Sequence, residues 1–161
     1  GANFTIEVWN YYDSSTDPDT SPFTGPNLWT NSASADWNVG AGGYNGLLFG
    51  FNTIRFFSPF SQQNVTYNPI PSLQTWHQHV LVADNNTSGT VYVDGNSVAT
   101  LSAVKTYGQS NGDLGIGIAD RFGSYRGEYL GFISIVRVYL KALTQEEILQ
   151  NFNALRGRYG I

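Results

Sequence analysis

The sequence predicts an all-β fold, an antiparallel β-sandwich or jelly roll with one short C-terminal helix. Short runs of alternating apolar and polar residues recur along the chain, as in half-buried strands. Clusters of Gly, Asn, Asp, Ser and Pro separate these runs, and 18 of the 161 residues are glycine. Only the segment after residue 143 has helical periodicity. Roughly ten strands followed by one late helix are typical of sandwich architectures.

The first half of the chain predicts three strands around long loops. Residues 4–9 (FTIEVW) alternate between apolar and polar side chains. Residues 10–45 are rich in turn-forming residues and predict the longest irregular stretch, the kind of segment that often carries function. Residues 46–58 contain two apolar runs and predict a hairpin. The prolines at positions 59, 69 and 71 predict a second loop.

The second half predicts a series of hairpin-connected strands. Residues 76–84 (WHQHVLVAD) predict a strand, and residues 90–93 predict the next one. Asp94 and Gly95 follow, a dipeptide that suits the positive φ angles of a tight hairpin turn. Further strands are predicted at 97–101, 114–118 and 128–140.

The helix has recognisable signals at both ends. Thr144 precedes Glu147 by three residues, which is the spacing of a capping box. The apolar face is formed by Ile148, Phe152 and Leu155. Gly157 stands where a C-terminal cap is expected.

Composition excludes several classes of protein. Charged residues make up 12% and aromatic residues 15% of the chain, which is not the composition of a disordered segment. A net charge of −4 without a basic cluster argues against a nucleic-acid partner. No apolar run has the roughly 20 residues of a membrane-spanning helix, so we expect no membrane insertion. The absence of cysteine excludes disulfides and thiol chemistry.

The chain also lacks methionine, and we expect a single domain over residues 1–161 that is a fragment of a longer chain.

Three segments, taken in order, resemble the laminin-G-like, concanavalin A-like domain family. Residues 4–9 are similar to its early strand. Trp76 and His77, followed by the YVDG turn at 92–95, are similar to its central hairpin. Residues 131–139, the ALT link at 142–144 and the start of the helix resemble its closing strand and helix. The resemblance covers residues 4–9 and about 76–152, and it implies a jelly-roll sandwich.

The sequence also departs from this family in two places. The family has a further strand before residues 4–9, and we expect that this strand either was cut away or belongs to a preceding segment. The position after Ile133 is often acidic in the family and is Ser134 here. The ending, residues 150–154 and 158–160, resembles laminin-G-like domains of phage and giant-virus structural proteins.

The sequence shows no catalytic motif, and we expect no catalytic residues. Glycosidases of this fold place their carboxylates on one strand as Glu-x-Asp-x-Glu, and that pattern is absent. Glu7 and Glu128 are the only glutamates outside the helix cap, and they can meet only across strands. His77 and His79 share one face of a strand but lack the third ligand that a metal site needs. We interpret both as core histidines.

Binding residues are the stronger candidates. Stacking of aromatic faces on sugar rings, with polar groups on the hydroxyls, points to six residues in the loops: Trp29, Trp37, Tyr44, Tyr107, Arg121 and Tyr125. The alternative for the tryptophans is that they hold the long loop against the sandwich. Asp13, Asp17 and Asp19 crowd one loop and supply the oxygen ligands that Ca²⁺ prefers. The alternative is that these aspartates only form turns. Calcium is the one cofactor that the sequence suggests.

The sequence as a whole favours a non-catalytic β-sandwich module. The main prediction is a surface or docking domain of a phage or viral structural protein, with glycan binding as an additional property. Its partners are then neighbouring virion subunits, parent-chain domains or glycans, on the virion surface or in the extracellular space. The first alternative is a carbohydrate-binding or adhesion module of a secreted bacterial protein. The second is a glycoside hydrolase of the same fold, which lacks a carboxylate pair.

Overall fold

The computed structural model describes residues 3–13, 27–32, 46–58, 61–84, 88–102, 114–117, 119–121, 124–126 and 129–161. In this part of the chain it contains twelve strands and one helix. In chain order these are β1 (Phe4–Tyr12), β2 (Asn27–Ser32), β3 (Gly46–Gly50), β4 (Thr53–Ser58), β5 (Ser61–Thr66), β6 (Trp76–Asp84), β7 (Ser88–Val93), β8 (Asn96–Ser102), β9 (Leu114–Ile116), β10 (Ala119–Arg121), β11 (Ser124–Arg126), β12 (Gly131–Tyr139) and α1 (Gln145–Tyr159). All described strand pairs are antiparallel, so the predicted mostly-β class with one C-terminal helix is confirmed.

The chain divides into two compact units. Unit 1 comprises Gly1–Asp13, Tyr67–Thr106 and Gly131–Ile161, and its five-stranded sheet has the order β12-β1-β6-β7-β8. The helix α1 belongs to the same unit. Within the described residues no helix has the length and apolar character needed to cross a membrane.

Unit 2 comprises Ser14–Thr66 and Tyr107–Leu130. Its five-stranded sheet has the order β5-β4-β3-β2-β9, and β10 and β11 form a separate two-stranded ribbon. The predicted hairpin at 46–58 is confirmed as β3 and β4. Four strands were missed: β2 lies within the predicted irregular stretch, β5 lies within the predicted proline loop, and β10 and β11 lie between the strands predicted at 114–118 and 128–140. β2 and β5 are rich in polar residues, and pairing with apolar neighbouring strands outweighs their weak local signal. β10 and β11 have three residues each, which is too short for an alternating pattern.

The sheet of unit 1 is covered on both faces at its centre. Residues 5 to 10 of β1 are all buried, although polar and apolar residues alternate there. On the face that meets the helix, Ile148 of α1 packs with Val80 and Val82 of β6 and with Leu143. Strand β1 therefore has two buried faces instead of the half-buried pattern that its sequence predicts.

The sequence predicted the start of α1 correctly but not its end. The capping box of Thr144 and Glu147 is present, and Lys141 donates a hydrogen bond to the same glutamate. The hydrogen bonds from Lys141 and from the Thr144 backbone lower the pKa of Glu147. The predicted C-cap at Gly157 is wrong, because the helix continues through Tyr159. Gly160, with φ of 74°, is the cap and donates its N–H to the carbonyl of Arg156.

The turn between β7 and β8 is confirmed. Asp94 has φ of 51° and Gly95 has φ of 79°, the left-handed values that a two-residue hairpin turn of this type requires. A Cβ atom at position 95 would lie 2.9 Å from Cδ1 of Leu149, so the turn also provides room for the helix. Glycine is needed here for its conformation, whereas a Cβ would only require the end of the exposed Leu149 side chain to move.

Candidate functional site

A row of four aromatic side chains lies on the sheet of unit 1. Tyr11 of β1 is the Cα partner of both Trp76 in β6 and Phe132 in β12. The Tyr11 ring centroid is 5.8 Å from that of Trp76 and 5.9 Å from that of Phe132. The Tyr159 ring of α1 lies 4.7 Å from the Trp76 ring. We call Phe132, Tyr11, Trp76 and Tyr159 the aromatic row.

The aromatic row remains accessible to solvent. Phe132 is 63% exposed, and the other three side chains are half-buried. Aromatic side chains have the largest apolar area to bury, and soluble proteins rarely leave several adjacent ones exposed unless the surface contacts a ligand or partner. The row can therefore contact the apolar face of a ring-shaped ligand.

The inner side of the aromatic row rests on a stack of rings between β1 and α1. Trp9 is fully buried, and its ring stacks on Phe152 at 5.9 Å and on Tyr159 at 4.5 Å. Phe152 and Tyr159 are seven residues apart, so two turns of helix place both rings on one face. The docking of α1 thus fixes the position of the last ring of the row.

A β-bulge and a glycine place Phe132 at the other end of the row. The partner of β1 changes from Ile135 to Ile133 between Trp9 and Asn10, which leaves Ser134 as the extra residue. Its hydroxyl accepts a hydrogen bond from Tyr159 at 2.9 Å. At the neighbouring Gly131, a Cβ atom would collide with the backbone carbonyl of Tyr11.

Polar groups lie next to the row at the start of β6. The backbone N–H of Gln74 donates to the carbonyl of Tyr12 at 2.8 Å. The Gln74 amide also contacts the carboxylate of Asp13 at 3.4 Å, and both side chains are exposed. Gln74 has φ of 55°, a left-handed conformation that this backbone bond holds in place. The amide of Gln74 is therefore two residues before Trp76 in the chain, and the carboxylate of Asp13 is two residues after Tyr11.

Beneath the helix, the carboxylate of Glu7 is fully buried and fully hydrogen-bonded. Its two oxygens accept five hydrogen bonds of 2.8–3.2 Å, from Trp9, Gln78, Arg137, Tyr139 and Asn151. These donors lie on β1, β6, β12 and α1, so one carboxylate connects three strands with the helix. Burial and the hydrogen bond to Glu7 raise the pKa of Tyr139, which keeps its hydroxyl a donor. A carboxylate surrounded in this way has no free oxygen for glycoside hydrolysis.

Three other residues resemble a nucleophilic relay in their spacing. The Oγ atom of Ser72 is 3.1 Å from Nε2 of His77, and Nδ1 of His77 is 2.7 Å from the carboxylate of Asp94. However, the backbone carbonyl of Ser72 is 3.0 Å from the same Nε2 atom. Nε2 therefore has two oxygen neighbours from Ser72, a carbonyl that can only accept and a hydroxyl that can donate or accept. The three residues instead connect the segment before β6 to the β7–β8 turn.

The two histidines are core residues, as the sequence indicates. His77 is 7% exposed and His79 is fully buried. Nδ1 of His79 lies 2.7 Å from the Asn10 amide. Within the described ranges no group of three or more His, Asp or Glu side chains could hold a metal ion.

The structure describes only some of the predicted binding residues. Trp29 lies in β2 opposite Phe49 and Ile116, Arg121 lies in β10, and Tyr125 lies in β11 opposite Asp120. Asp13 is exposed at the end of β1. The remaining candidates fall outside the described residues: Trp37, Tyr44, Tyr107, Asp17 and Asp19. Glu128, the possible partner of Glu7, also falls outside them.

Sequence reasoning missed the aromatic row because its members are spread over 149 positions. Local signals did exist. Trp9 and Tyr11 are two residues apart and therefore share one face of β1. Tyr159 extends the apolar face of α1 by one further turn beyond Phe152 and Leu155. What was missing is the register that places Tyr11 between Trp76 and Phe132.

Similar folds occur in several solved structures. The CBM40 domain of the Ruminococcus gnavus IT-sialidase, bound to α2,3-sialyllactose, is 17% identical with a TM-score of 0.67, over 94% of this chain and 83% of that one. Domain 4 of an extracellular arabinanase from Geobacillus stearothermophilus, in complex with arabinotriose, is 15% identical with a TM-score of 0.62, over 92% and 66%. A heptameric SAP-like pentraxin from Limulus polyphemus is 17% identical with a TM-score of 0.56, over 92% and 68%. At sequence identities this low, the structural similarity establishes a shared fold only.

The sequence itself identifies the family. No curated protein matches the chain at a significant level. A family model does match, over residues 1–149, which is nearly the whole chain and includes the stretch 10–75 that the resemblance did not cover. The chain belongs to the Laminin_G_3 family of the concanavalin A-like lectin/glucanase superfamily.

Proposed function

We propose that this domain is a non-catalytic carbohydrate-binding module. The observation that carries the proposal is the aromatic row, three of whose rings lie side by side on adjacent strands. A pyranose ring has an apolar face of C–H groups that can lie on such rings. Its hydroxyl groups need a few polar partners in fixed positions, and the exposed side chains of Gln74 and Asp13, two residues from Trp76 and Tyr11 in the chain, can serve as such partners.

The similar structures support this proposal. One is named as a carbohydrate-binding module and holds sialyllactose, and another is a domain of an arabinanase in complex with arabinotriose. The first is a domain of a sialidase, and the second is a domain of an arabinanase. Together they favour the carbohydrate-binding alternative over the virion prediction, and they suggest an extracellular location.

Two sets of residues compete for the glycan. The first is the aromatic row in unit 1. The second is the loop set predicted from the sequence: Trp29, Trp37, Tyr44, Tyr107, Arg121 and Tyr125. We favour the aromatic row, because the ring distances within it are compatible with one continuous surface.

A glycan array on the isolated domain, with calcium and again with chelator, tests the function. We expect reproducible binding to one class of glycan. Replacing Trp76 with alanine should then weaken that binding by about 30-fold or more, because it removes a central ring of the aromatic row. Titration calorimetry with the array-positive glycan measures the loss.

Matched variants separate the two candidate sites. Ile70→Ala removes an apolar side chain that is 58% exposed outside the aromatic row, and it should change affinity less than twofold. Strong loss with Trp37→Ala or Tyr125→Ala, and none with Trp76→Ala, would assign the site to the loop set instead. A blank array under both conditions would overturn carbohydrate binding.

Calcium binding by Asp13, Asp17 and Asp19 is a separate proposal. A ligand that binds only the native state stabilises it, by about 2.7 kcal/mol at 100 times its dissociation constant. Adding a chelator should therefore lower the melting temperature, by on the order of 5–10 °C for a domain of this size. Differential scanning calorimetry measures the change, and magnesium serves as the control ion. An identical melting curve with and without chelator would remove this site.

The surface or docking role in a phage or viral structural protein stays a prediction. It rests on the C-terminal sequence resemblance and on the low charge of the chain. The same sandwich would then contact neighbouring subunits through its loops. A blank glycan array would favour this role, and the search for a neighbouring subunit would follow.

A further inference from the structure

The described positive side chains are distributed unevenly. Arg137 is paired with Glu7, and Lys141 is paired with Glu147. Arg156 and Arg158, in the last turn of α1, form no ion pair with any described residue. Arg158 instead lies near Tyr159 of the aromatic row, and Arg156 lies near Phe152.

The contacts of these two arginines are with the stacked rings. The guanidinium carbon of Arg158 is 5.9 Å from the centroid of Tyr159, the last ring of the aromatic row. That of Arg156 is 5.8 Å from the centroid of Phe152, which stacks on Trp9. Distances of this size allow a cation–π interaction, and both arginine side chains are exposed to solvent.

The helix dipole explains only part of this arrangement. A positive charge in the last turn stabilises the negative end of the helix, and lysine does this as well as arginine. Arginine differs from lysine in its planar fork of N–H donors, which matches a carboxylate with two parallel hydrogen bonds. Arg158 presents this fork of donors next to Tyr159, where a ligand of the aromatic row would lie.

We propose that the ligand of the aromatic row is an acidic sugar, whose carboxylate is bound by Arg158 while its ring contacts Tyr159 and Trp76. This inference rests on the proposed carbohydrate-binding function and adds the chemical class of the ligand. The carboxylate can come from a sialic acid or from a uronic acid. The net charge of −4 disfavours anions elsewhere on the chain, so the preference depends on this local pair of arginines.

Titration calorimetry with two matched pairs of probes tests the inference. The first pair is sialyllactose and lactose, and the second is an oligogalacturonide and its carboxyl-reduced form. We expect the acidic member of one pair to bind at least about tenfold more tightly than the neutral member, the usual gain from hydrogen bonds to a charged group. The pair that shows this preference identifies the source of the carboxylate.

Variants of Arg158 show whether that side chain is responsible. Arg158→Lys keeps the charge for the helix dipole but loses the fork, and it should reduce affinity for the acidic probe about tenfold. Affinity for the neutral probe should change less than twofold. Lys141→Gln removes one positive charge at the other end of α1 and should leave both affinities within twofold of the original.

Each failure has a distinct meaning. If neither acidic nor neutral probes bind and the glycan array is blank, the carbohydrate-binding function itself is overturned. If neutral and acidic members bind equally, the function stands and the acidic preference is overturned. An acidic preference that survives in both Arg158→Lys and Arg158→Gln overturns the assignment to Arg158.

Discussion

Replacing Glu7 with alanine is expected to lower the free energy of unfolding by about 3–5 kcal/mol. The change removes a fully buried carboxylate and leaves its donors on β6, β12 and α1 without an acceptor. The indole N–H of Trp9 loses its partner as well, beneath the aromatic row. A chain of this length should show a fall in melting temperature on the order of 10 °C.

Urea and thermal denaturation measure this effect, and Glu146→Ala is the control. Glu146 is an exposed acid in the first turn of the same helix, so its removal should leave the free energy of unfolding nearly unchanged. Glu7→Gln is a milder second variant, because it keeps one acceptor oxygen but loses the charge opposite Arg137. In a folded variant without Glu7, the pKa of Tyr139 should fall, because burial alone then raises it. A loss below about 1 kcal/mol for Glu7→Ala would contradict the connecting role of this carboxylate.

Replacing Phe152 with alanine is expected to destabilise the domain by about 3–5 kcal/mol, the usual range for a buried aromatic ring. Phe152 is 8% exposed, and its ring lies nearly parallel to that of Trp9, with an interplanar angle of 9°. The substitution would leave a cavity next to Trp9, whose ring stacks on Tyr159. The variant should therefore also weaken any ligand bound at the aromatic row.

Leu149→Ala provides the matched comparison on the same helix. Leu149 is 44% exposed, so its removal should cost roughly 1 kcal/mol or less. Equilibrium urea denaturation of both variants, with unchanged m-values, gives the difference directly. Equal costs for Phe152→Ala and Leu149→Ala would mean that the helix does not pack on the sheet through the Phe152 face.

Features that depend on residues close together in the chain were predicted correctly, and features that depend on tertiary contacts were not. The Asp94-Gly95 turn and the Thr144–Glu147 capping box depend on residues no more than three apart, and both were predicted correctly. The C-cap was placed at Gly157, three residues too early, because a helix end also depends on what its last turn packs against. Tyr159 stacks on Trp9 and prolongs the helix to Gly160.

The candidate site shows the same limit. The loop residues Trp37 and Tyr107 were chosen because they are aromatic residues in predicted loops, which is a local criterion. The aromatic row depends on a register between Tyr11, Trp76 and Phe132 that no local pattern encodes. Strand pairing over such separations is decided by the fit of whole faces, and the bulge at Ser134 alters that fit further.

By itself the sequence determined the mostly-β class, the main hairpins, the start of the helix and the family resemblance. These depend on hydrophobic periodicity, turn residues and short motifs, which act between neighbours along the chain. Only the tertiary structure decided the role of Glu7, an ordinary polar position in an alternating strand that becomes a fully buried carboxylate with five donors. Only the tertiary structure, likewise, brought the four rings and the two unpaired arginines together. The reason is that burial and charge pairing are properties of the neighbours in space, and many of those neighbours are distant in the chain, as Trp76 and Phe132 are from Tyr11.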